Sequence, residues 1–446
     1  MAILIDGDRI ERIAPSAALS GYARRVDGEG AYVTPGFNDM HAHPVQSHER
    51  EAAYALLLSN GVTGFRQMAG SPELLSERRA RTVDPTREPE LLAMPGTIFI
   101  GPVAATADLA RAEVQHQHEQ GADFIKMIDA PREAFFATLE EASRQGLTVS
   151  GHLPGSVTPE EAADAGMRSF EHLGTGDNVL ASCSDDEAAI RRDAAAAPRP
   201  SVSIVPGRVP EEVLERALAN TVLLTAASGG GAALERWGRA ADTFSEARCR
   251  VLARHLAARG VWQVPTLIRT RQSAYGDDPA FRDGETLRYV PSATRRMWEE
   301  VAQQFAARVT QDQRAAVRRA YAVQLRIVKL FDEEGVPMLA GSDNGGQWGV
   351  AGFSLHQEFD LLSEAGLPPL RVLQMTTLSA AQFLGREGTM GTVEAGRDAN
   401  LVLLGGDPTI DVANLHRIRA VVRAGRFYTR EDLDALQARV AGAYAQ

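Results

Sequence analysis

Six side chains in this 446-residue sequence are of types that bind divalent metal ions, and each follows or ends a short apolar run. His41 and His43 form a His-Ala-His after Thr34-Pro35-Gly36. Side chains two apart on a strand share a face, so both imidazoles can reach one ion. Such a pair alone is a weak signal. Lys126 lies inside Asp-Phe-Ile-Lys-Met-Ile, where a charged ammonium is costly to bury. It is either a snorkelling or ion-paired lysine, which the strand alone favours, or one whose lowered pKa lets it react with carbon dioxide. The resulting carbamate would offer anionic oxygen to two ions. His152 ends Val-Ser-Gly-His and His172 ends Ser-Phe-Glu-His. A lone histidine at a strand end is usually structural; two at consecutive strand ends are harder to dismiss. Asp343 ends Leu-Ala-Gly-Ser-Asp. It reads as a helix N-cap or as a ligand that doubles as proton carrier. Together, four His, one Lys and one Asp could hold two ions roughly 3.5–4 Å apart.

Something must bring these residues to one point. Apolar β-rich runs alternate with helical stretches, which argues for a parallel α/β fold. Eight candidate strands stand at 36–41, 62–68, 97–101, 123–128, 147–152, 168–172, 262–267 and 337–342. Eight is the closing number of a (β/α)8 TIM barrel, whose active site lies at the C-terminal strand ends. Helices are expected at 107–120, 132–145, 158–165, 355–365 and 368–384. Thr158-Pro159-Glu160-Glu161 supplies a good helix start. The connections 173–261 and 268–336 are long and helical in composition, as insertions that wall a pocket would be. The Ala/Asp/Arg-rich piece 185–200 reads as mobile. Residues 389–428 and the N-terminal segment have the texture of short strands. The expected organisation is therefore a small β-sandwich from 1–35 and 389–428, a barrel from 36–388 with helical insertions at about 174–260 and 268–335, and a terminal helix over 429–446.

Composition narrows the class. The net charge of −11 argues against a nucleic-acid partner, because phosphate binding needs a basic face. No run of 18 apolar residues offers a transmembrane helix. The opening MAILIDGDRIERIAP lacks the pattern of a signal peptide, so the chain as given reads as cytoplasmic. It opens as strand, turn and strand, which leaves room for an upstream segment. Cys183 and Cys249 form no CxxC pair, cannot build a disulfide framework, and read as bystanders. Any metal must be held by His, Asp, Glu or Lys.

The pattern of HxH, Lys, His, His and Asp on strands one, four, five, six and eight resembles the binuclear amidohydrolase superfamily. The imidazolonepropionase-like and Xaa-Pro dipeptidase-like branches are the most similar. VTPGFNDMHAHP (33–44), LLLSNGVTGFRQM (56–68), GADFIKM (121–127), GMRSFEHL (166–173), LAGSDN (339–344), LHQEFDLLSEAGL (355–367) and the tail 376–408 carry the likeness. It spans the chain except for the insertions. It implies that His41, His43 and Asp343 bind a buried metal, and His152 and His172 a more exposed one. Lys126, carboxylated, would bridge them. Mononuclear relatives lack this lysine. Zinc is the expected ion, although manganese or cobalt suits the same ligands. The family usually has Asp where Gln67 stands and Thr where Ser342 stands.

The implied activity is hydrolysis of an amide or peptide bond in a small molecule, such as an N-acyl amino acid or an Xaa-Pro dipeptide. A metal-bridging hydroxide would attack, with Asp343 as general acid/base. A lactonase or esterase on the same site, a deaminase and an inactive scaffold are the alternatives. Arg269, Arg271 and Tyr275 follow strand seven and could bind a substrate carboxylate, or form a solvated loop. Trp348 and His356 wall the pocket or pack structurally. His116, His118, His255 and His416 read as surface residues, and His48 as loop. A symmetric homo-oligomer is expected for a barrel of this kind.

Overall fold

The computed structural model describes residues 1–47, 49–176, 178–196, 211–227 and 231–445; His48 and part of the 185–200 piece lie outside them. The chain opens with β1 (Ala2–Asp6), β2 (Arg9–Ala14) and β3 (Tyr32–Pro35). β4 (Phe37–Ala42), β5 (Val62–Gln67), β6 (Glu90–Ala93), β7 (Ile125–Met127), β8 (Val149–Gly151), β9 (Ser169–Glu171) and β10 (Trp262–Val264) follow. β11 (Leu401–Leu404), β12 (Ile418–Arg423) and β13 (Arg426–Thr429) come last.

β4 to β10 are parallel, in runs of three and four strands, with helices between them. All but the half-exposed β6 are buried along their whole length, as strands covered on both faces are. A bridge from Phe99 to Met127 joins the two runs. Residues 337–342 fill the eighth position: Met338 bridges Gln263, and Met40 N–H donates to the Ala340 carbonyl at 3.0 Å. The ring thus closes as a TIM barrel.

The third strand differs from the expectation. Glu90–Ala93 pairs with β5, whereas 97–101 contributes only the Phe99 bridge. Pro95 lacks an N–H and interrupts the run between the two pieces. The expected 368–384 helix is two helices, Pro369–Thr376 and Leu378–Leu384, separated at Thr377.

The two ends of the chain meet. β3 pairs antiparallel with β11, in a sheet ordered β13-β12-β11-β3. The β1–β2 ribbon packs on it through Ile10, Leu401 and Val422. The helix Arg430–Tyr444 follows. Among the described residues no helix is long and apolar enough to cross a membrane.

The long insertion is helical, and it corrects one expectation. Cys183 and Cys249 are disulfide-bonded and buried, so they are not bystanders. Their separation of 66 residues hides the pairing in the sequence. Packing of the turn after Asn178–Ser182 against the start of Glu246–Arg259 brings them together, with Ser245 N–H donating to the Cys183 carbonyl at 2.7 Å.

Candidate metal centre

The strand ends bring the six predicted side chains to the barrel mouth. Asp343 Oδ1 lies 3.0 Å from His43 Nε2 and 3.4 Å from His41 Nε2. These three ligand atoms lie within 4.8 Å of one another, the one such group among the described residues. Asp343 Oδ2 is 3.6 Å from His172 Nε2. The His172 ring centroid is 4.7 Å from that of His41 and 5.1 Å from that of His152. Lys126 is the middle residue of β7 and is buried. Burial lowers the basicity of His41, His152 and His172, and the charge of Lys126 lowers it further.

Hydrogen bonds orient two of the imidazoles. His41 Nδ1–H donates to Glu171 Oε2 at 2.7 Å, which leaves the Nε2 lone pair facing Asp343. The Thr266 hydroxyl donates to the Pro265 carbonyl, so its oxygen accepts from His172 Nδ1. His172 Nε2 is then also a lone pair turned into the site. Burial pushes His41 down to about 4 and His172 to about 3, and takes His152 well below its ordinary range. Neutral imidazole is the form that binds metal.

Two buried carboxylates brace this arrangement. Burial opposes ionisation of Glu171, but Arg66 and His41 hold it well below the usual carboxylate range. Arg66 donates from Nη2 to Glu171 at 2.8 Å and from Nε to the Met40 carbonyl at 2.7 Å. Asp39 Oδ1 accepts from the Ser342 N–H at 2.9 Å and Oδ2 from its hydroxyl at 2.5 Å. That ties the first strand to the eighth. A hydroxyl at position 342 suffices for the tie, so Ser serves as Thr would. Gln67 accepts from Val45 N–H at 3.1 Å and donates to the Ala69 carbonyl at 2.9 Å, holding the loop after His43.

The backbone is strained where the ligands sit. His172, Thr266 and Asp343 have φ of 56°, 45° and 48°, a region non-glycine residues rarely adopt. Before His152 the chain needs Gly151: a Cβ there would overlap the Met127 carbonyl. Asp343 is pinned by its N–H, which donates to the His41 carbonyl at 2.7 Å. Burial would raise its pKa, but His41, His43, His172 and Arg269 hold it well below the usual range.

The donor set fits a divalent metal, and Lys126 gives the sharpest test. Its Nζ is buried and has no hydrogen-bond partner among the described residues. Burial lowers its pKa to about 8. An orphaned amine among imidazoles and a carboxylate is unsatisfied as it stands, and carbamylation would make it an anionic ligand.

The secondary candidates divide. Arg269 reaches the site, with Nε 3.3 Å from Asp343 Oδ2. Tyr275 instead packs edge-on against Tyr321 at 6.0 Å, beneath the Arg318 guanidinium. Arg271 is half-buried on the same helix, and its charge is felt at Tyr321. Trp348 is buried against Trp298 and donates to the Gly276 carbonyl. His356 does not join the cluster. It packs on Phe37 at the opposite end of β4, and its Nε2 meets the Asn60 carbonyl at 2.9 Å. His255 and His416 pair with Asp164 and Asp360, as surface residues do. Glu171, Asp39, Arg66 and Thr266 were missed by sequence reasoning. Glu171 alone carried a signal, as an acid directly before His172.

Residues 256–427 match the amidohydrolase family. Bottromycin amidohydrolase is 27% identical, with a TM-score of 0.64 over 93% of this chain and 81% of that one. A putative prolidase from Bifidobacterium longum is 20% identical, with a TM-score of 0.59 over 97% and 92%. A prolidase complexed with N-methylphosphonate-L-proline is 18% identical, with a TM-score of 0.60 over 96% and 94%. No curated protein matches the sequence significantly. In its barrel, its candidate His-His-Asp cluster and the match over residues 256–427, the chain is similar to amidohydrolases. The family match and the structural neighbours indicate a hydrolase acting on carbon–nitrogen bonds.

Proposed function

We propose that this protein hydrolyses an amide bond in a small molecule bearing a free carboxylate beside the scissile nitrogen, as in an N-acyl amino acid or an Xaa-Pro dipeptide. The reading rests above all on the orphaned Lys126 Nζ, buried among ligand-competent imidazoles beside a carboxylate held ionised. A mononuclear site has no use for an amine there. The prolidases among the structural neighbours support the substrate class.

His41, His43 and Asp343 would hold one divalent ion and His152 and His172 a second, with carboxylated Lys126 between them. Zinc suits four imidazoles with two oxygen donors. Bound there, the ions would polarise the scissile carbonyl and acidify water. The chain's own groups do the rest. Asp343 accepts the proton of the attacking water at a carboxylate oxygen and returns it to the leaving nitrogen. Glu171 and Thr266 keep His41 and His172 aimed through Nε2. The strained backbone at Asp343 holds that carboxylate in the mouth without a search among conformers.

The test is a panel of N-acyl amino acids, Xaa-Pro dipeptides, lactones and aryl esters, with zinc-loaded and chelator-stripped protein. Chelator-sensitive release of a free amino acid is the expected result. Cleavage of lactones or esters alone would replace the amide reading with an esterase.

A further inference from the structure

Arg269 lies on the helix Leu267–Ala274 after β10, and both terminal nitrogens of its planar head are anchored. Nη1 donates to the Ala219 carbonyl at 2.9 Å, and Nη2 donates to the Leu218 carbonyl. Both carbonyls belong to the helical insertion that walls the mouth. Nε is buried, lacks a hydrogen-bond partner, and stands 3.3 Å from Asp343 Oδ2. The guanidinium therefore cannot swing toward a ligand without giving up two main-chain anchors.

The loop after Asp343 is shaped around it. Gly346 faces the guanidinium so closely that a Cβ there would fall on Arg269 Nη1. Gln347 N–H donates to the same Ala219 carbonyl at 2.8 Å, and the Gln347 side chain accepts from Asn220 at 3.0 Å. Arg269 thus sits in a frame made of the wall, the post-strand loop and the proton carrier.

Asp343 needs its two oxygens to differ. Oδ1 faces His41 and His43, whereas Oδ2 faces Arg269 and His172. A carboxylate is symmetric about its own axis, so something outside it must break that symmetry. Arg269 is a fixed cation on one side only.

We propose that Arg269 is a positioning residue for Asp343: anchored by the wall carbonyls, it holds Oδ2 aside so that Oδ1 stays turned to the metal side. This deepens the hydrolase reading and rests on it. It also means that a substrate carboxylate is not recognised by Arg269. An outer partner of this kind typically alters metal affinity or turnover ~10–100-fold.

Three variants test it. Arg269→Lys keeps the charge but cannot span the two carbonyls and the carboxylate. Gly346→Ala keeps the arginine but displaces it. Arg269→Ala allows rescue with methylguanidinium. Zinc affinity is measured against a competing chelator, which needs no substrate, so it stands if the proposed substrate class is wrong. Arg269→Lys and Gly346→Ala should bind zinc about 10-fold more weakly while their melting temperatures confirm folding. On any substrate found, kcat should fall at least about 10-fold with KM within about threefold, and methylguanidinium should restore part of the kcat of Arg269→Ala. Unchanged zinc affinity in both charge-preserving variants would overturn the proposal. So would a raised KM at constant kcat, the mark of an arginine that binds substrate.

Discussion

A carboxylate that both binds an ion and moves a proton must stay ionised in a buried place. Asp343 manages this through its neighbours, not through solvent: His41, His43, His172 and Arg269 outweigh the cost of its burial. Replacing it with Asn keeps the shape and removes the proton carrier. Asp343→Asn should lower kcat by ~10²–10⁴-fold, the usual worth of a general acid/base, with folding unchanged by circular dichroism. Turnover close to wild type would remove Asp343 from that role. Lys126→Ala should likewise take metal content below two ions per chain by elemental analysis, because it deletes the proposed bridge. The candidate ligands could be picked out in the sequence, since all but Lys126 end an apolar run and a barrel collects its strand ends. Their supports were not. Glu171 meets His41 across 130 residues, and Thr266 meets His172 across 94, so these contacts exist only once the strand order is known. His356 shows the converse: a histidine in the right stretch of sequence, but on a helix face turned to the bottom of the barrel.

The helices around the barrel bury ionisable groups that the core would reject in charged form. Glu358, on the helix Phe353–Glu364, is buried and accepts from Ile268 N–H at 2.8 Å. It thereby caps the helix that bears Arg269 and follows Thr266. Burial raises its pKa to about 8 from an ordinary 4.5. Below pH 4.5 folded and unfolded chains both hold the proton. Between 4.5 and 8 only the folded chain does, so stability falls as pH rises through this window, and the contribution is lost above it. Glu358→Gln removes the titration. Its melting temperature should fall less than that of the wild type from pH 5 to 9, a difference on the order of a few kcal/mol. Parallel curves would show that Glu358 ionises freely in the folded state. The disulfide acts at the same scale. It closes a loop of 66 residues across the insertion, worth about 4 kcal/mol by chain entropy. The double Cys183→Ser, Cys249→Ser variant should melt lower by several degrees, and wild type prepared without reductant should show no free thiol on denaturation. Two free thiols would mean the bond does not form. Neither device could be read from sequence: helix composition announced the insertion, but not which of its turns meet.

Closure is the problem of the whole molecule. A barrel has one seam where the first strand meets the last, and here those strands come from opposite ends of a 300-residue segment. Little backbone pairing spans it: residues 337–342 make only isolated contacts with β4 and β10. Three things hold the seam. Asp39 on β4 takes both donors of Ser342. The small β-domain ties β3, next to β4, to β11, beyond the last barrel strand. The third would be the proposed ligand set, because His41 and His43 lie on one side of the seam and Asp343 on the other. An ion bound by these three would be a cross-link over the seam, and without it the buried Lys126 Nζ has no hydrogen-bond partner among the described residues. A ligand that binds only the folded chain stabilises it by RT ln(1 + [L]/Kd), about 4 kcal/mol at a thousandfold excess over Kd. Chelator-stripped protein should therefore melt several degrees lower than zinc-loaded protein, and reloading should restore it. The seam account requires more than that. Asp39→Asn, which weakens the direct tie, should lower the melting temperature of the stripped protein more than that of the loaded protein, because in the loaded form the ion still spans the gap. Equal losses in the two forms would mean that metal and Asp39 act on separate parts of the fold, and that the barrel does not depend on its metal to stay closed.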